Sequence, residues 1–287
     1  MEAPPLNLYH VQAPATARVI SNTRITALDC DEVRHIVLDR AGLDFQYVEG
    51  QSLGILTPGT DESGRPNKLR LFSIASGRQG DDGRGQTVSI CVKRVVYRDP
   101  ETGELKQGVA SNFLCGLEPG DTVAITGPVG NRFLLPQNSS ANLILVATGT
   151  GVAPCRSFLA HAFASGTPWR GQVYLFFGCK NQGECLYQRE FETYRAHPNF
   201  HFVTARSREE QSPGGERMYV DHRVAERVAE LWELLRGEDT YLYVCGIKGT
   251  EGGVFRVLEA HASEEGVSWP DLQKELLKTR RICVETY

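Results

Sequence analysis

Asn142-Leu143-Ile144-Leu145-Val146-Ala147 runs straight into Thr148-Gly149-Thr150-Gly151-Val152-Ala153-Pro154. A short, mostly apolar run bounded by turn residues reads as a strand buried on both faces. Gly149 and Gly151 let main-chain N–H groups come close to a phosphate. Pro154 suits the first turn of the helix that the pattern predicts over Ala153–Ala164, whose positive end then faces the anion. Pro154 stands where G-x-G-x-x-G would have its third glycine, so the match is partial, and an ordinary strand–helix turn has a similar composition.

Working outward, apolar runs of strand length recur at Gln172–Phe177, Phe200–Thr204, Tyr241–Cys245 and Ile282–Glu285. Helical patterns separate them at Tyr187–Ala196, Arg223–Leu235, Thr250–Ala262 and Trp269–Leu277. This alternation predicts a parallel sheet with helices on both faces. Upstream the texture differs. Ala17–Leu28, Val33–Asp39, Gln51–Thr57, Arg70–Ala75, Thr87–Tyr97 and Thr122–Thr126 are short runs rich in β-branched and aromatic residues, with Gly/Pro/Asp turns between them. They predict an antiparallel barrel or sandwich, interrupted by one short helix, Ser111–Leu117, with Ser111 as its N-cap. The expected organisation is a tail (1–16), a β-barrel domain (17–137) and an α/β nucleotide-binding domain (138–287).

Composition narrows the function classes. The 287 residues are 41% apolar and 23% charged, as in ordinary globular chains, and the net charge is −4. Residues 1–137 hold 14 Lys/Arg against 16 Asp/Glu, which leaves 17 against 19 for the remainder. Neither half is basic, which argues against a nucleic-acid partner. No run approaches the ~20 apolar residues of a membrane span. The first 20 residues show neither a signal nor a transit pattern, so a cytoplasmic or stroma-like reducing compartment is expected. The eight cysteines include no C-x-x-C pair, so no metal or iron–sulfur centre is expected, and the thiols read as reduced and mostly buried.

Further segments carry candidate chemistry. Arg70-Leu71-Phe72-Ser73 places a cation, an aromatic face and a hydroxyl on one extended stretch, although an amphipathic strand with Phe72 in the core has the same pattern. Cys91-Val92-Lys93-Arg94-Val95-Val96-Tyr97 is a similar strand. Gly108-Val109-Ala110-Ser111 opens a helix with free amides, a second anion site. Ala205-Arg206-Ser207-Arg208, followed by Gly215-Glu216-Arg217-Met218-Tyr219, offers hydroxyl and guanidinium donors for a monoester phosphate. NADP sites tend to place Arg where NAD sites place an acid, though a solvated Arg/Glu loop reads the same locally. Cys245-Gly246 ends a strand at the carboxyl edge of the sheet, where open α/β folds bind ligands. The chain finishes on Glu285-Thr286-Tyr287, with an aromatic residue where a tail normally frays.

In their order and spacing these motifs, with Gly127-Pro128-Val129-Gly130, resemble the plant-type ferredoxin–NADP+ reductases over nearly the whole chain, from about Ala13 to Tyr287. The resemblance implies an FAD-binding barrel followed by an NADP-binding domain. It also implies hydride transfer at flavin N5 between NADP(H) and a one-electron carrier, ferredoxin or flavodoxin. By the same resemblance, Arg70 and the amides of Val109, Ala110 and Ser111 hold the FAD pyrophosphate. Phe72 and Tyr287 flank the flavin, Tyr97 stacks on its adenine, Cys91, Val92 and Lys93 line the cofactor, and Ser73 donates to N5. Gly149, Thr150, Gly151 and Gly246 meet NADP, while Ser207, Arg208, Arg217 and Tyr219 take the 2′-phosphate end. Cys245 and Glu285 join Ser73 and Tyr287 as the catalytic set.

Phe72 stands where the family usually has Tyr, Ala110 where Cys is common, Arg217 for a frequent Lys, and Arg281-Ile282-Cys283 for an aromatic–His pattern; these departures point to a bacterial member. Ferredoxins and flavodoxins are acidic, so a basic docking patch is expected among Arg65, Lys68, Arg70, Arg132, Lys274, Lys278, Arg280 and Arg281. A monomer is expected. An alternative role is as the NADPH-dependent reductase component of an oxygenase or epoxidase system, and a different class is a non-catalytic flavin- or nucleotide-binding regulator.

Overall fold

The computed structural model describes residues 4–166 and 168–287. Two compact units emerge: one runs to Leu134 and takes in Arg156–His161, and the other comprises Leu135–Cys155 and Ala162–Tyr287.

The first unit begins with β1 (Ala15–Arg24), β2 (Val33–Asp39), β3 (Ser52–Leu56), β4 (Arg70–Ser73) and β5 (Thr87–Lys93). A hairpin, β6 (Val96–Arg98) and β7 (Leu105–Gln107), leads to α1 (Val109–Gly116) and β8 (Thr122–Val129). Alternation builds the sheet: Ala15, Ala17 and Val19 of β1 are buried while Thr16, Arg18 and Ile20 face out. The antiparallel order is β4-β3-β8-β1-β2-β5. An antiparallel bridge between Ile74 and Ile90 joins the two edges, so the sheet closes into a barrel. Ile36, Leu38, Leu53, Ile55, Ile90 and Ile125 fill it with no exposed surface.

Three boundaries differ from the sequence expectation, each for a local reason. β1 stops at Arg24 rather than Leu28, because the Arg24 guanidinium folds the next residues into a turn by donating to the carbonyls of Thr26, Ala27, Leu28 and Cys30. The expected strand Thr87–Tyr97 breaks after Lys93, where Arg94 turns to Glu32 (2.6 Å) and the Cys115 carbonyl (3.0 Å). The chain beyond it pairs with β7, which sequence reading missed because Leu105–Gln107 is too short to show a period. Finally, α1 starts at Val109 with Gly108 as N-cap, so Ser111 lies inside the helix. Its hydroxyl donates back to the Gly108 carbonyl (3.2 Å) and accepts from the Val95 amide (3.2 Å).

The second unit alternates as expected. Its elements are β9 (Asn142–Thr148), α2 (Val152–Ala164), β10 (Val173–Cys179), α3 (Gln188–Tyr194), β11 (Phe200–Arg206), α4 (Val220–Ala225), α5 (Val228–Arg236), β12 (Thr240–Gly246), α6 (Thr250–Glu264), α7 (Trp269–Lys278) and β13 (Ile282–Thr286). All five strands are parallel, in the order β11-β10-β9-β12-β13. The single helix expected over Arg223–Leu235 is two: α4 starts earlier, behind Tyr219, whose amide donates to His222, and the helix parts at Glu226-Arg227, where Arg227 leaves helical geometry (φ −127°, ψ 14°) as the N-cap of α5. Leu143, Leu145, Val146, Phe176 and Val244 are fully buried, and Trp232, Leu258 and Trp269 pack on the sheet core. The chain proceeds from β9 outward to β10 on one side and returns to place β12 on the other. The carboxyl ends of β9 and β12 therefore flank the switch point at which such sheets bind ligands.

Candidate functional site

Each unit presents a separate cluster of the residues singled out in the sequence. In the first unit, β4 carries Arg70 and Leu71 exposed and Phe72 and Ser73 half-buried, with Phe72 packed against the barrel core and Ser73 paired with Ser52. Cys91 and Val92 on β5 are buried, and Lys93 is exposed and ion-paired with Asp31 at 2.7 Å. Tyr97 on β6 is 49% exposed, opposite Lys106. Val109 is exposed at the head of α1, with Ala110 and Ser111 buried behind it.

Asn112, part of the Gly108–Leu114 motif but without a role in the sequence reading, ties this corner together: its amide donates to the carbonyls of Val95 and Gly108, both at 2.8 Å. A β-carbon on Gly108 would lie 2.9 Å from the Ser111 hydroxyl and 3.0 Å from the Val95 side chain, so glycine is needed for the approach. The first turn of α1 holds no acid and Gly108 makes no side-chain cap, which leaves its leading amides to an anion. Leu71, Val95, Val96, Tyr97, Leu105 and Val109 are large apolar side chains left in solvent. Exposed apolar surface of this kind calls for a cover, and a dinucleotide with a fused ring at one end and a pyrophosphate in the middle suits it. The residues present therefore fit FAD.

In the second unit, β12 lies on β13 with Cys245 opposite Glu285 and Gly246 opposite Thr286. The turn Gly149–Gly151 follows β9 beside them. A β-carbon on Gly151 would fall 2.4 Å from the Cys245 carbonyl oxygen, and one on Gly246 would fall 2.0 Å from the Thr148 hydroxyl. These glycines permit that closeness, and Gly246 also has φ +150°. Gly149 has φ +54° and nothing within 4 Å of the β-carbon position, so the turn presents bare main chain to open space, as a pyrophosphate requires. Thr148, which opens the quoted turn but carried no role in the sequence reading, accepts from the Ile247 amide (3.0 Å) and shares a hydrogen bond with Thr250 (3.3 Å). A hydroxyl directly before the first glycine was the available signal.

Tyr287 is tied down: its amide donates to the Gly246 carbonyl (3.0 Å), and its hydroxyl shares a 2.6 Å hydrogen bond with Thr150. Burial holds the Cys245 thiol well above its ordinary pKa, so it stays protonated. Burial also pushes the Glu285 carboxyl up to about 7.

At the end of β11, the Ser207 amide and hydroxyl both donate to the Cys179 carbonyl (3.0 and 3.3 Å), and the Arg208 amide donates to the Lys180 carbonyl (2.8 Å). Arg208, Arg217 and Tyr219 have exposed side chains. The neighbouring Arg206 is already committed to Glu210 at 2.7 Å. These donors and the bare turn fit NADP(H). Of the expected docking cations, Arg281 is spent inside the unit, donating to the carbonyls of Thr240, Leu235 and Gly237, and Arg65 pairs with Asp61.

Residues 145–254 match the oxidoreductase NAD-binding domain family. The chain is 45% identical to the ferredoxin–NADP reductase of Spirulina sp, covering 99% of this chain and 98% of that protein. It is 44% identical to the chloroplastic leaf isozyme 1 of the same name from Oryza sativa subsp. indica, covering 98% and 79%. The structure of ferredoxin-NADP+ reductase from Plasmodium falciparum superposes with a TM-score of 0.78 at 27% identity over 99% of this chain and all of that one. The same reductase with 2′P-AMP gives 0.78 at 26% identity, with the same coverage. No helix among the described residues is long and apolar enough to cross a membrane. The two-domain architecture and near-full-length identity agree: the chain belongs to the ferredoxin–NADP reductase family of oxidoreductases, which use FAD and NADP(H).

Proposed function

We propose that this chain moves electrons between NADP(H) and a one-electron carrier, ferredoxin or flavodoxin, with residues 17–137 holding FAD and 138–287 holding NADP(H). FAD supplies the link between hydride exchange with nicotinamide, at its N5 atom, and single-electron exchange with the carrier. The observation that carries the reading is the β12–β13 register, which sets Cys245 opposite Glu285 at the sheet's switch point beside a bare glycine turn.

The chain's own residues then have separate tasks. Arg70 and the leading amides of α1 neutralise the FAD pyrophosphate, Phe72 and Tyr97 offer stacking faces, and Ser73 offers its hydroxyl to the flavin. Cys91, Val92 and Lys93 line the cofactor by their main chain, since the first two are buried. Thr150, Gly151 and Gly246 receive the NADP pyrophosphate and nicotinamide end, and Ser207, Arg208, Arg217 and Tyr219 select the 2′-phosphate. Cys245, protonated and buried, shapes the nicotinamide place, and Glu285 holds or releases a proton near neutrality. Tyr287, anchored to Thr150, gives way when the nicotinamide ring enters. The eight cysteines are free thiols, which suits a reducing compartment.

Anaerobic titration of the purified protein with NADPH and with NADH, followed by flavin absorbance, tests this. Bleaching by NADPH, with NADH needed at far higher concentration, is the expected result. A colourless protein, or a flavin that neither nucleotide reduces, would overturn it.

A further inference from the structure

Glu210 has no part in the donor set described above, yet both segments of that set hang on it. β11 ends at Arg206, and the chain turns through Ser207-Arg208-Glu209 before reaching Glu210. The Glu210 amide donates to the Arg206 carbonyl (2.9 Å), and the Glu210 carboxylate accepts from the Arg206 amide (2.9 Å). Main chain and side chain of one residue thus close the same loop, with Ser207 and Arg208 inside it. The Glu210 carbonyl then accepts from the amide of Met218 (3.0 Å), the buried residue between Arg217 and Tyr219. An antiparallel bridge between Gln211 and Arg217 extends the pairing by one step.

The carboxylate is fully engaged. Its Oε1 accepts from Arg206 Nη2 (2.7 Å) and Nε (3.2 Å), and its Oε2 takes Arg223 Nη2 (3.2 Å) besides the amide. Both arginines are anchored at their far side: Arg223 Nε donates to the Thr204 carbonyl (3.0 Å), and Arg206 Nη1 donates to Gln182 (2.9 Å). The Glu210 side chain is 21% exposed, and a two-pronged guanidinium contact there is firmer and more directional than an isolated surface pair. Two guanidiniums beside the phosphate donors are therefore spent on the protein, while the side chains of Arg208 and Arg217 stay exposed. A loop stiffened in this way needs less ordering when its ligand arrives.

We propose that Glu210 is a positioning residue which holds Ser207-Arg208 and Arg217-Met218-Tyr219 in one fixed relation, and so sets the preference for 2′-phosphorylated nucleotides over those with a free 2′-hydroxyl. The inference rests on the proposed role of those donors. An acid beside an anion site is unexpected on charge alone, since it repels the phosphate. The geometry explains its use: the carboxylate reaches back to the Arg206 amide while the carbonyl of the same residue meets Met218. Its charge is answered by Arg206 and Arg223. Reach, not charge, is then what the site requires. Glutamine offers an acceptor at the same distance, whereas aspartate keeps the charge and falls one methylene short.

The test compares the full chain with Glu210→Asp, Glu210→Gln and Glu210→Ala by calorimetric titration with 2′P-AMP, taking Arg208→Ala as reference. Glu210→Asp and Glu210→Ala are expected to bind about tenfold more weakly, the low end for losing a charge-assisted hydrogen bond, and Glu210→Gln within about threefold of wild type. With a small quinone as acceptor, Glu210→Asp and Glu210→Ala are expected to raise the KM for NADPH by a similar factor at unchanged kcat. NADH kinetics stay as in wild type, so the preference for NADPH falls. Equal weakening toward both nucleotides would make Glu210 a residue of general stability and overturn the proposal. Wild-type or tighter 2′P-AMP binding by Glu210→Asp, with the loss appearing in Glu210→Gln, would place the effect in charge and overturn it too. If Glu210→Ala does not fold, Glu210→Asp against Glu210→Gln carries the decision. If Arg208→Ala binds 2′P-AMP as wild type does, the phosphate reading fails and takes this inference with it. If Arg208→Ala loses binding while Glu210→Asp keeps it, only the role of Glu210 falls.

Discussion

Glu285 shows how one residue can join stability to chemistry. Its ordinary value of 4.5 describes the unfolded chain, and burial raises it to about 7 in the fold. Below about pH 4.5 both states hold the proton and the folded state keeps its full relative benefit. As pH rises through 7 the buried carboxyl must ionise, and the benefit is lost. The displacement corresponds to about 3 kcal/mol, which partial solvent contact reduces to about 1–2 kcal/mol. Glu285→Gln stays neutral, so urea unfolding at pH 5 and pH 8 is expected to show wild type losing about that much relative to the variant. Parallel losses would refute the assignment. Tyr287 is held by its hydroxyl on Thr150, by its amide on the Gly246 carbonyl and by its carbonyl, which accepts from the Lys248 amide (3.2 Å). If it competes with the nicotinamide, Tyr287→Ser raises NADP+ affinity by about tenfold, roughly the worth of one net hydrogen bond plus the freed face. Difference spectra during NADP+ titration measure this, and unchanged affinity would remove Tyr287 from the nicotinamide's path.

At the scale of elements, the turn between β9 and α2 separates two kinds of glycine. Gly151→Ala drives a β-carbon into the Cys245 main chain at 2.4 Å, and no side-chain rotation relieves a clash with backbone. A loss of about 3 kcal/mol or more is expected from thermal or urea unfolding. Gly149→Ala meets open space at φ +54°, so it costs only about 1 kcal/mol of left-handed strain. It nevertheless plants a methyl group where the phosphate approaches, and NADP+ affinity is expected to fall. Equal stability of the two variants would contradict this division. Both glycines stood out in the sequence, because a strand running into G-x-G is a local signal, as was the strand–helix alternation around it. The Gly108 cap of α1 was not legible, since Ser111 is by composition the better cap and only its packing under Val95 moves the start of the helix. The β6–β7 hairpin was hidden likewise, decided by Arg94 reaching Glu32. Side chains that act across long sequence separations leave no periodic trace.

Over the whole molecule, charge gives little away: a net −4 with signs shared evenly offers no global attraction to an acidic carrier. Docking then depends on local cations, and the structure sorts them. Arg281 is consumed by three carbonyls and Arg65 faces Asp61, whereas Lys68, Lys274 and Lys278 have exposed side chains. Sequence could nominate all of these but could not tell a solvated lysine from an arginine that seals a helix end, because that difference lies in which carbonyls the fold leaves within reach. Surface attraction of this sort is screened over about 10 Å at 0.1 M salt. It acts mainly on encounter rather than on the chemistry that follows. Ferredoxin-dependent turnover is therefore expected to show a KM that rises several-fold between low and physiological ionic strength at nearly constant kcat, while NADPH oxidation by a small uncharged quinone stays flat. Lys68→Glu and Lys274→Glu should each raise the ferredoxin KM at low salt and flatten its salt dependence, again without touching the quinone reaction. A KM indifferent to salt would mean that the carrier docks through apolar contacts, and the lysines would then be ordinary solvated surface.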